Sequence, residues 1–338
     1  MLMRIAGRWW LVPEHRVGIV GVGGIAGTHH QELSRLRSVT IAGITDVNPA
    51  RLKERSREWN VQAYPTLPAL LETEVDAVFI CTPPLTHRAL AEQAAQARKH
   101  IYLEKPIALS LADADGIVAA ADQAGVTLMV GFNLRYEPLR RAILERVQAG
   151  DVGDVVLVWE EHWMYRSTPD WKQFLETGPW RKTYEESGGR MSEFGSHVVN
   201  WEQAIAGPAK AVTGFASTIT AREVVDDFNL AQFAFAEGAG LISLAISPTT
   251  PPRWSFGVVG TEGTLYSDGQ QLYLQPRDSG TTRLVPASPC ESRWEHFFRC
   301  LDSDQRPLTD GPDARATLAT VLAFYESART GKTVEPAR

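Results

Sequence analysis

Cysteine is scarce in this 338-residue chain: three thiols, Cys81, Cys290 and Cys300, stand far apart. Their number and spacing exclude a disulfide framework and the common structural-zinc patterns, so reduced thiols in a cytoplasmic protein are expected. No run approaches the roughly 18 apolar residues that a membrane span needs, which gives no membrane partner. Lys and Arg are scattered against a net charge of −6, so no basic patch points to nucleic acid. Internal repeats and low-complexity tracts are absent too. What is present is an apolar content of 44%, ample for sizeable cores, and length enough for two domains. Residues 1–15 read as an N-terminal extension. Arg4 and Arg8 there precede only the short apolar run Trp9-Trp10-Leu11-Val12, with no small-residue cleavage site, so no signal peptide is expected. Met3 offers a second possible start.

Arg16-Val-Gly-Ile-Val-Gly-Val-Gly-Gly-Ile-Ala26 reads as a buried strand, a glycine turn and a helix start. The pattern Gly21-x-Gly23-x-x-Ala26 is the dinucleotide fingerprint in its G-x-G-x-x-A form. Gly21 permits the turn, Gly23 lets backbone amides approach a pyrophosphate, and Ala26 lets the helix pack on the strand. The N–H groups around Gly24 and Ile25 would hold the phosphates. A second strand ends at Asp46, 20 residues after Ala26, where a carboxylate can accept from a ribose hydroxyl. The alternative is a phosphate-free α/β turn.

Asn48-Pro49 starts a helix running to about Trp59, with Asn48 as cap. The strand Asp76–Cys81 follows, then Pro83-Pro84 and a helix His87–Arg98 capped by Thr86. Next come a strand Ile101–Glu104, a helix capped by Ser110 and ended by Gly125, and a strand Val126–Gly131. This alternation predicts a doubly wound parallel sheet, a Rossmann domain over residues 16–136. Residues 137–338 change pattern. A helix at Glu137–Ala149 precedes the long strand Val152–Tyr165, and six further strands between Ala211 and Leu274 follow without intervening helices. Helices are expected at Ser192–Ala206, Ser292–Leu301 and Asp313–Thr330. The second domain is therefore an α+β domain with a large, mostly antiparallel open sheet. Its ligand crevice is expected at the carboxyl ends of the parallel strands.

Three neighbourhoods carry candidate chemistry. Glu104-Lys105-Pro106 follows a parallel strand, and Pro106 biases Lys105 toward an extended backbone. Glu193 and His197 are four apart, so a helix places them on one face, where a carboxylate can orient an imidazole base. Thr82-Pro83-Pro84 with His87 also follows a strand. Each has a plainer reading: a solvated turn, a surface helix pair, and a helix-end decoration.

Taken in order, these elements resemble the Gfo/Idh/MocA family of oxidoreductases, from Arg16 to the closing Tyr325–Val334. The resemblance also rests on Cys81-Thr-Pro-Pro84, Gly131-Phe-Asn-Leu-Arg135, Trp180-Arg181 and Gly188–His197. It implies catalysis by Lys105 and His197, with Glu193 standing where the family usually has Asp and Asn200 where an acid is common. It implies NAD, with NADP second, held by the glycine turn, Asp46, Thr82, Pro83, His87, Glu104, Lys105 and Asn133. A cis Lys105–Pro106 bond is also implied. The substrate implied is a sugar or polyol, whose secondary alcohol gives its proton to His197 and its hydride to nicotinamide, while Lys105 bonds the oxygen. Five of the ten Trp (Trp159, Trp163, Trp171, Trp180 and Trp201) fall within 43 residues beside this region. Trp163 and Trp180 are candidates to face the sugar, with Arg135, Tyr165, Arg166 and Arg181 bonding its hydroxyls; packing of the sheet or of an oligomer interface is the alternative. A homodimer or homotetramer is expected by analogy. Two other functions stay open: a redox-neutral enzyme that cleaves glycosides or epimerises with bound NAD, and a non-catalytic sugar-nucleotide sensor.

Overall fold

The computed structural model describes residues 2–5, 8–11, 14–165, 179–219, 225–247, 253–286 and 290–338. Two compact units emerge. The first is Met1–Gly131 with Ser292–Pro312, the second Phe132–Glu291 with Asp313–Arg338. The division thus falls a few residues before the expected 136, and Ser292–Pro312 joins the first unit instead of remaining within 137–338.

Leu2–Ile5 (β1) and Arg8–Leu11 (β2) pair antiparallel within the N-terminal extension. The first unit is built on five parallel strands: β3 (His15–Val20), β4 (Val39–Thr45), β5 (Ala77–Ile80), β6 (His100–Leu103) and β7 (Leu128–Val130). Their order is β4-β3-β5-β6-β7. In β3 every residue but Arg16 is buried, as expected for a strand covered on both faces by crossover helices. Those helices are α1 (Gly24–Leu33), α2 (Pro49–Trp59), α3 (Leu67–Leu71), α4 (His87–Gln96) and α5 (Leu111–Ala124). Local chemistry sets their ends. The Asn48 side chain accepts the N–H groups of Ala50 and Arg51, Ser110 Oγ accepts that of Asp113, and Gly125 closes α5 at φ 66°. Thr86 does not cap α4. A 3₁₀ turn, Pro84–Thr86, intervenes, and the Thr86 hydroxyl reaches back to the Pro83 carbonyl at 2.8 Å.

The returning segment joins this unit through both its helix and its tail. In the helix Arg293–Ser303, Phe297 meets Phe79 and Tyr102 edge-on, with centroids 5.6 and 5.8 Å apart. Thr309 then exchanges backbone and side-chain hydrogen bonds with Val130 at the end of β7.

The second unit holds an eight-stranded sheet: β8 (Val155–Tyr165), β9 (Ala209–Ser217), β10 (Phe228–Phe235), β11 (Ala239–Ser247), β12 (Arg253–Gly260), β13 (Gly263–Ser267), β14 (Leu272–Pro276) and β15 (Thr282–Leu284). The order is β15-β14-β13-β12-β8-β11-β10-β9, antiparallel throughout except for the β8–β11 pair. Strict alternation along β10 gives the sheet one covered and one open face. Helices α6 (Pro138–Gln148), α7 (Tyr184–Ser187) and α8 (Ser196–Ala206) belong to this unit, and α8 lies almost wholly buried on the covered face. Arg140 of α6 is fully buried there, bonded to Glu160 at 2.7 Å and stacked over Phe256 at 3.9 Å and Trp201 at 4.8 Å. Breaking such a pair typically costs about 3–5 kcal/mol, because one charge is left buried and alone.

Candidate active site

In the first unit, β3, β5 and β6 are neighbours, so their carboxyl ends bring three segments to one sheet edge: Gly21–Gly23, Thr82–Pro83 and Glu104–Lys105. Gly21 has φ +81°, and a Cβ there would meet Thr82 Cγ2 at 2.7 Å. Gly23 differs: among the described residues, a Cβ there would touch no atom within 4 Å, so packing against them does not demand glycine. Gly23 is also the N-cap of α1, so the cap position offers no side chain to that helix end, and its first turn holds no acid. An uncapped helix start beneath open space fits a dinucleotide pyrophosphate, approached by the amides of Gly24 and Ile25 while buried Ala26 packs inward. Asp46 closes this cradle. Its Oδ2 accepts the Val22 N–H at 2.9 Å and its Oδ1 the Asn48 N–H at 2.7 Å. Arg51 stands 3.6 Å from the same carboxylate, a neighbour that the α2 turn supplies and the residues directly after Asp46 do not reveal.

His87 does not line the cofactor edge. It is 0% exposed, with Nε2 against the Thr82 carbonyl at 3.0 Å and Nδ1 against that of Pro106 at 3.0 Å. It buckles two loops together, because a buried imidazole needs partners and α4 aims it inward. Glu104 is also turned away from solvent, at 6% exposure, and bonds His29 at 2.7 Å. Burial pushes the Glu104 carboxyl up, but the hydrogen bond from His29 and the nearby Arg293 and Lys105 outweigh that and bring it to about 2. Glu104 is therefore an anion at neutral pH, and its contact is with the protein rather than with a cofactor. The Lys105–Pro106 bond is cis.

In the second unit, a π-helical turn, Met191–Gly195, leads into α8. Such turns recur at functional sites. Glu193 lies in the π turn and His197 in the first turn of α8, both buried. The His197 ring is 5.9 Å from Phe132 and 6.2 Å from Phe194. Phe194 in turn meets His162 of β8 at 4.1 Å, and Arg190 lies over Phe194 at 5.3 Å and donates to Met164 Sδ at 2.9 Å. Burial, helped by Arg190 and Arg140, lowers His162 to about 3, so its ring is neutral at physiological pH. His162 Nδ1 is buried with no hydrogen bond among the described residues.

This geometry corrects several sequence expectations. Trp163 is one residue off the face that carries His162 and Met164; it points to the open side and donates to Ser243 at 3.2 Å. Strand parity alone causes the exchange. Arg135 is 7% exposed and engaged with Asn200 at 3.2 Å and Asp313 at 3.6 Å, so it braces the protein instead of reaching for substrate. Asn200 also donates to Asp313 of the helix Gly311–Thr330. Trp201 is a core residue, as the packing alternative has it. Trp180 is half-buried in a 3₁₀ turn, Pro179–Lys182, and Asn133 opens another, with its Oδ1 buried and unpartnered among the described residues. Arg166 and Trp171 lie outside the described residues, as do the side chains of Tyr165 and Arg181.

The description "Oxidoreductase family, NAD-binding Rossmann fold" matches residues 15–132, and the Gfo/Idh/MocA C-terminal domain matches residues 141–266. D-apiose dehydrogenase of Paraburkholderia graminis is 27% identical over 96% of this chain and 90% of its own. The 1,5-anhydro-D-fructose reductase of Ensifer adhaerens is 29% identical over 78% of this chain and 80% of its own. An oxidoreductase from Agrobacterium radiobacter, solved with NAD+, L-tartaric acid and magnesium, superimposes with a TM-score of 0.83 over 95% of this chain and 98% of that one; at 23% identity this shows the fold. The chain belongs to the Gfo/Idh/MocA family and is an NAD(P)-dependent oxidoreductase, with an NAD-binding Rossmann unit followed by that family's C-terminal domain.

Proposed function

We propose that this enzyme oxidises a secondary alcohol of a sugar or polyol, or reduces the corresponding carbonyl, with Lys105 and His197 as its catalytic pair. The observation that carries this reading is the placing of Lys105 at the carboxyl end of β6, on the sheet edge that also presents the glycine turn and Thr82. The D-apiose dehydrogenase and the 1,5-anhydro-D-fructose reductase are named for sugars, which supports the substrate class. Bound nicotinamide supplies the hydride acceptor or donor. His197 takes the hydroxyl proton as general base, and Lys105 hydrogen-bonds the same oxygen and stabilises its developing charge. Glu193 orients the imidazole from the preceding turn. Half-buried Trp180 is the side chain we assign to a substrate ring face, with Asn133 toward the cofactor.

His197→Ala and Lys105→Ala should each lower turnover about 10²–10⁴-fold while NADH binding holds. Because both act on one oxygen, the double variant should be little worse than either alone. Glu193→Gln should slow turnover and move the pH profile of His197. Steady-state kinetics with a separate NADH titration checks this; wild-type turnover in His197→Ala contradicts it.

The assembly we propose is a homodimer or homotetramer formed through the open sheet face, where Phe215, Leu230 and Leu241 are 51%, 40% and 39% exposed. A mass measurement in solution tests that. The cytoplasm is the compartment we propose, on the strength of three unbridged cysteines. Among the described residues no helix is long and apolar enough to cross a membrane.

A further inference from the structure

Lys105 is anchored through the residue before it. The helix Arg293–Ser303 brings Trp294 against His29 of α1, with indole Nε1 3.1 Å from imidazole Nδ1. An indole N–H can only donate, so Nδ1 must carry the lone pair and Nε2 the single proton of a neutral ring. Nε2 lies 2.7 Å from Glu104 Oε1 and donates to it. The second Glu104 oxygen accepts the backbone N–H of Lys105 at 3.2 Å. The bonds form one directed chain: Trp294 gives to His29, His29 to Glu104, and Lys105 gives to Glu104 from the far side. His29 is 0% exposed, enclosed by the rings of Phe79 and Tyr102 at 5.7 and 5.1 Å, while the Arg293 guanidinium lies over Trp294 at 4.1 Å. If the tautomer were reversed, a lone pair of His29 would face the carboxylate and the indole N–H would have no acceptor. Each end of the chain thus selects the same state of the ring.

We propose that His29 and Trp294 are positioning residues for Lys105, fixing through Glu104 the direction in which the lysine leaves the end of β6. The proposal rests on the reading of Lys105 as the group that bonds the reacting oxygen. It also gives the returning segment Ser292–Pro312 a function beyond packing, because that segment supplies the indole donor. Neither residue touches substrate in this scheme; each acts through another.

Three variants separate positioning from filling of space. His29→Leu keeps apolar bulk and removes both bonds. His29→Gln keeps one donor and one acceptor. Trp294→Phe keeps a ring and removes the N–H. ¹⁵N chemical shifts of the cofactor-free protein should show the Nε2–H tautomer of His29 in the wild type and a mixed population in Trp294→Phe. Turnover should fall on the order of 10²-fold in His29→Leu and recover largely in His29→Gln, with KM and the NADH dissociation constant little moved. An Nδ1–H tautomer in the wild type overturns the proposal. So does a His29→Leu enzyme as active as His29→Gln, since packing alone would then suffice. A Lys105→Ala variant at the wild-type rate overturns the function proposed for Lys105, and with it this role, even where the tautomer is as predicted.

Discussion

Asp46 uses both carboxylate oxygens to hold its surroundings, one on the Val22 N–H of the glycine turn and one on the Asn48 N–H that opens α2. A carboxylate fixed in this way can accept from a ribose 2′-hydroxyl but repels a 2′-phosphate, so NAD should bind more tightly than NADP, most clearly at low salt. Arg51, 3.6 Å away, refines the prediction. Asp46→Ser should shift preference toward NADP, and adding Arg51→Ala should remove that gain, because the guanidinium is the nearby partner for the extra phosphate. Titration calorimetry with both cofactors checks it, and equal dissociation constants in the wild type would remove the argument. At this scale the sequence is legible where chemistry is local. Asp46, the Asn48 and Ser110 caps and the Gly125 stop all follow from a few neighbouring residues. Arg51, His29 and Arg135 are not legible in that way, since their partners depend on how a turn or helix face is oriented. The one hint for His29 was its place in the helix that the fingerprint opens.

Among the elements, the π turn Met191–Gly195 is held by a clasp assembled from three parts of the second unit. Asp226 accepts the Arg190 N–H at 2.6 Å, the Asn229 amide at 2.7 Å and the Tyr325 hydroxyl at 3.0 Å, and that hydroxyl accepts the Met191 N–H at 2.8 Å. Tyr325→Phe removes the last two bonds while leaving the ring. Leaving a buried donor unmet costs about 1–3 kcal/mol, and a shift of the turn would carry Glu193 and His197 with it. Turnover should therefore drop by up to about 10²-fold, with NADH affinity unchanged because the Rossmann unit is untouched. Full turnover in Tyr325→Phe would show that the clasp is structural only. The helix through Ser192–Ala206 was legible from its spacing; its first turn as a π turn was not, because that depends on Asp226 and Tyr325 arriving from elsewhere. Strand β8 carries the same lesson. Its length and alternation were legible, but alternation defines two faces without naming the covered one, and Trp163 lies on the open face for that reason.

Across the whole molecule, the order of strands and helices was legible because crossover connections are short and sequential, whereas the return of Ser292–Pro312 to the first unit rests on contacts of Phe297 and Thr309 with residues far away in the chain. Global stability offers a test of the second core. Glu202 is fully buried, neither carboxyl oxygen has a hydrogen bond among the described residues, and burial, reinforced by Glu160, pushes its pKa well above the usual range. A group raised on folding contributes stability that is full below its unfolded value, near 4.5, and that is lost as pH rises toward the folded value. Glu202→Gln should thus raise the melting temperature by a few degrees at pH 7–8 but little at pH 4, since about 1 kcal/mol moves Tm by roughly 2–4 °C in proteins of this size. Thermal unfolding across that range checks the sign, and equal shifts at both ends would contradict it. Hydride exchange between a carbohydrate alcohol and nicotinamide is tested by assaying the purified enzyme against a panel of aldoses, cyclic and open-chain polyols and anhydro sugars with NAD and NADP. Net formation of reduced nicotinamide, faster with NAD, is expected from at least one sugar or polyol, and is abolished in His197→Ala. Conversion of a sugar with bound NAD and no net reduction, or no reduction from any member of the panel, would contradict it.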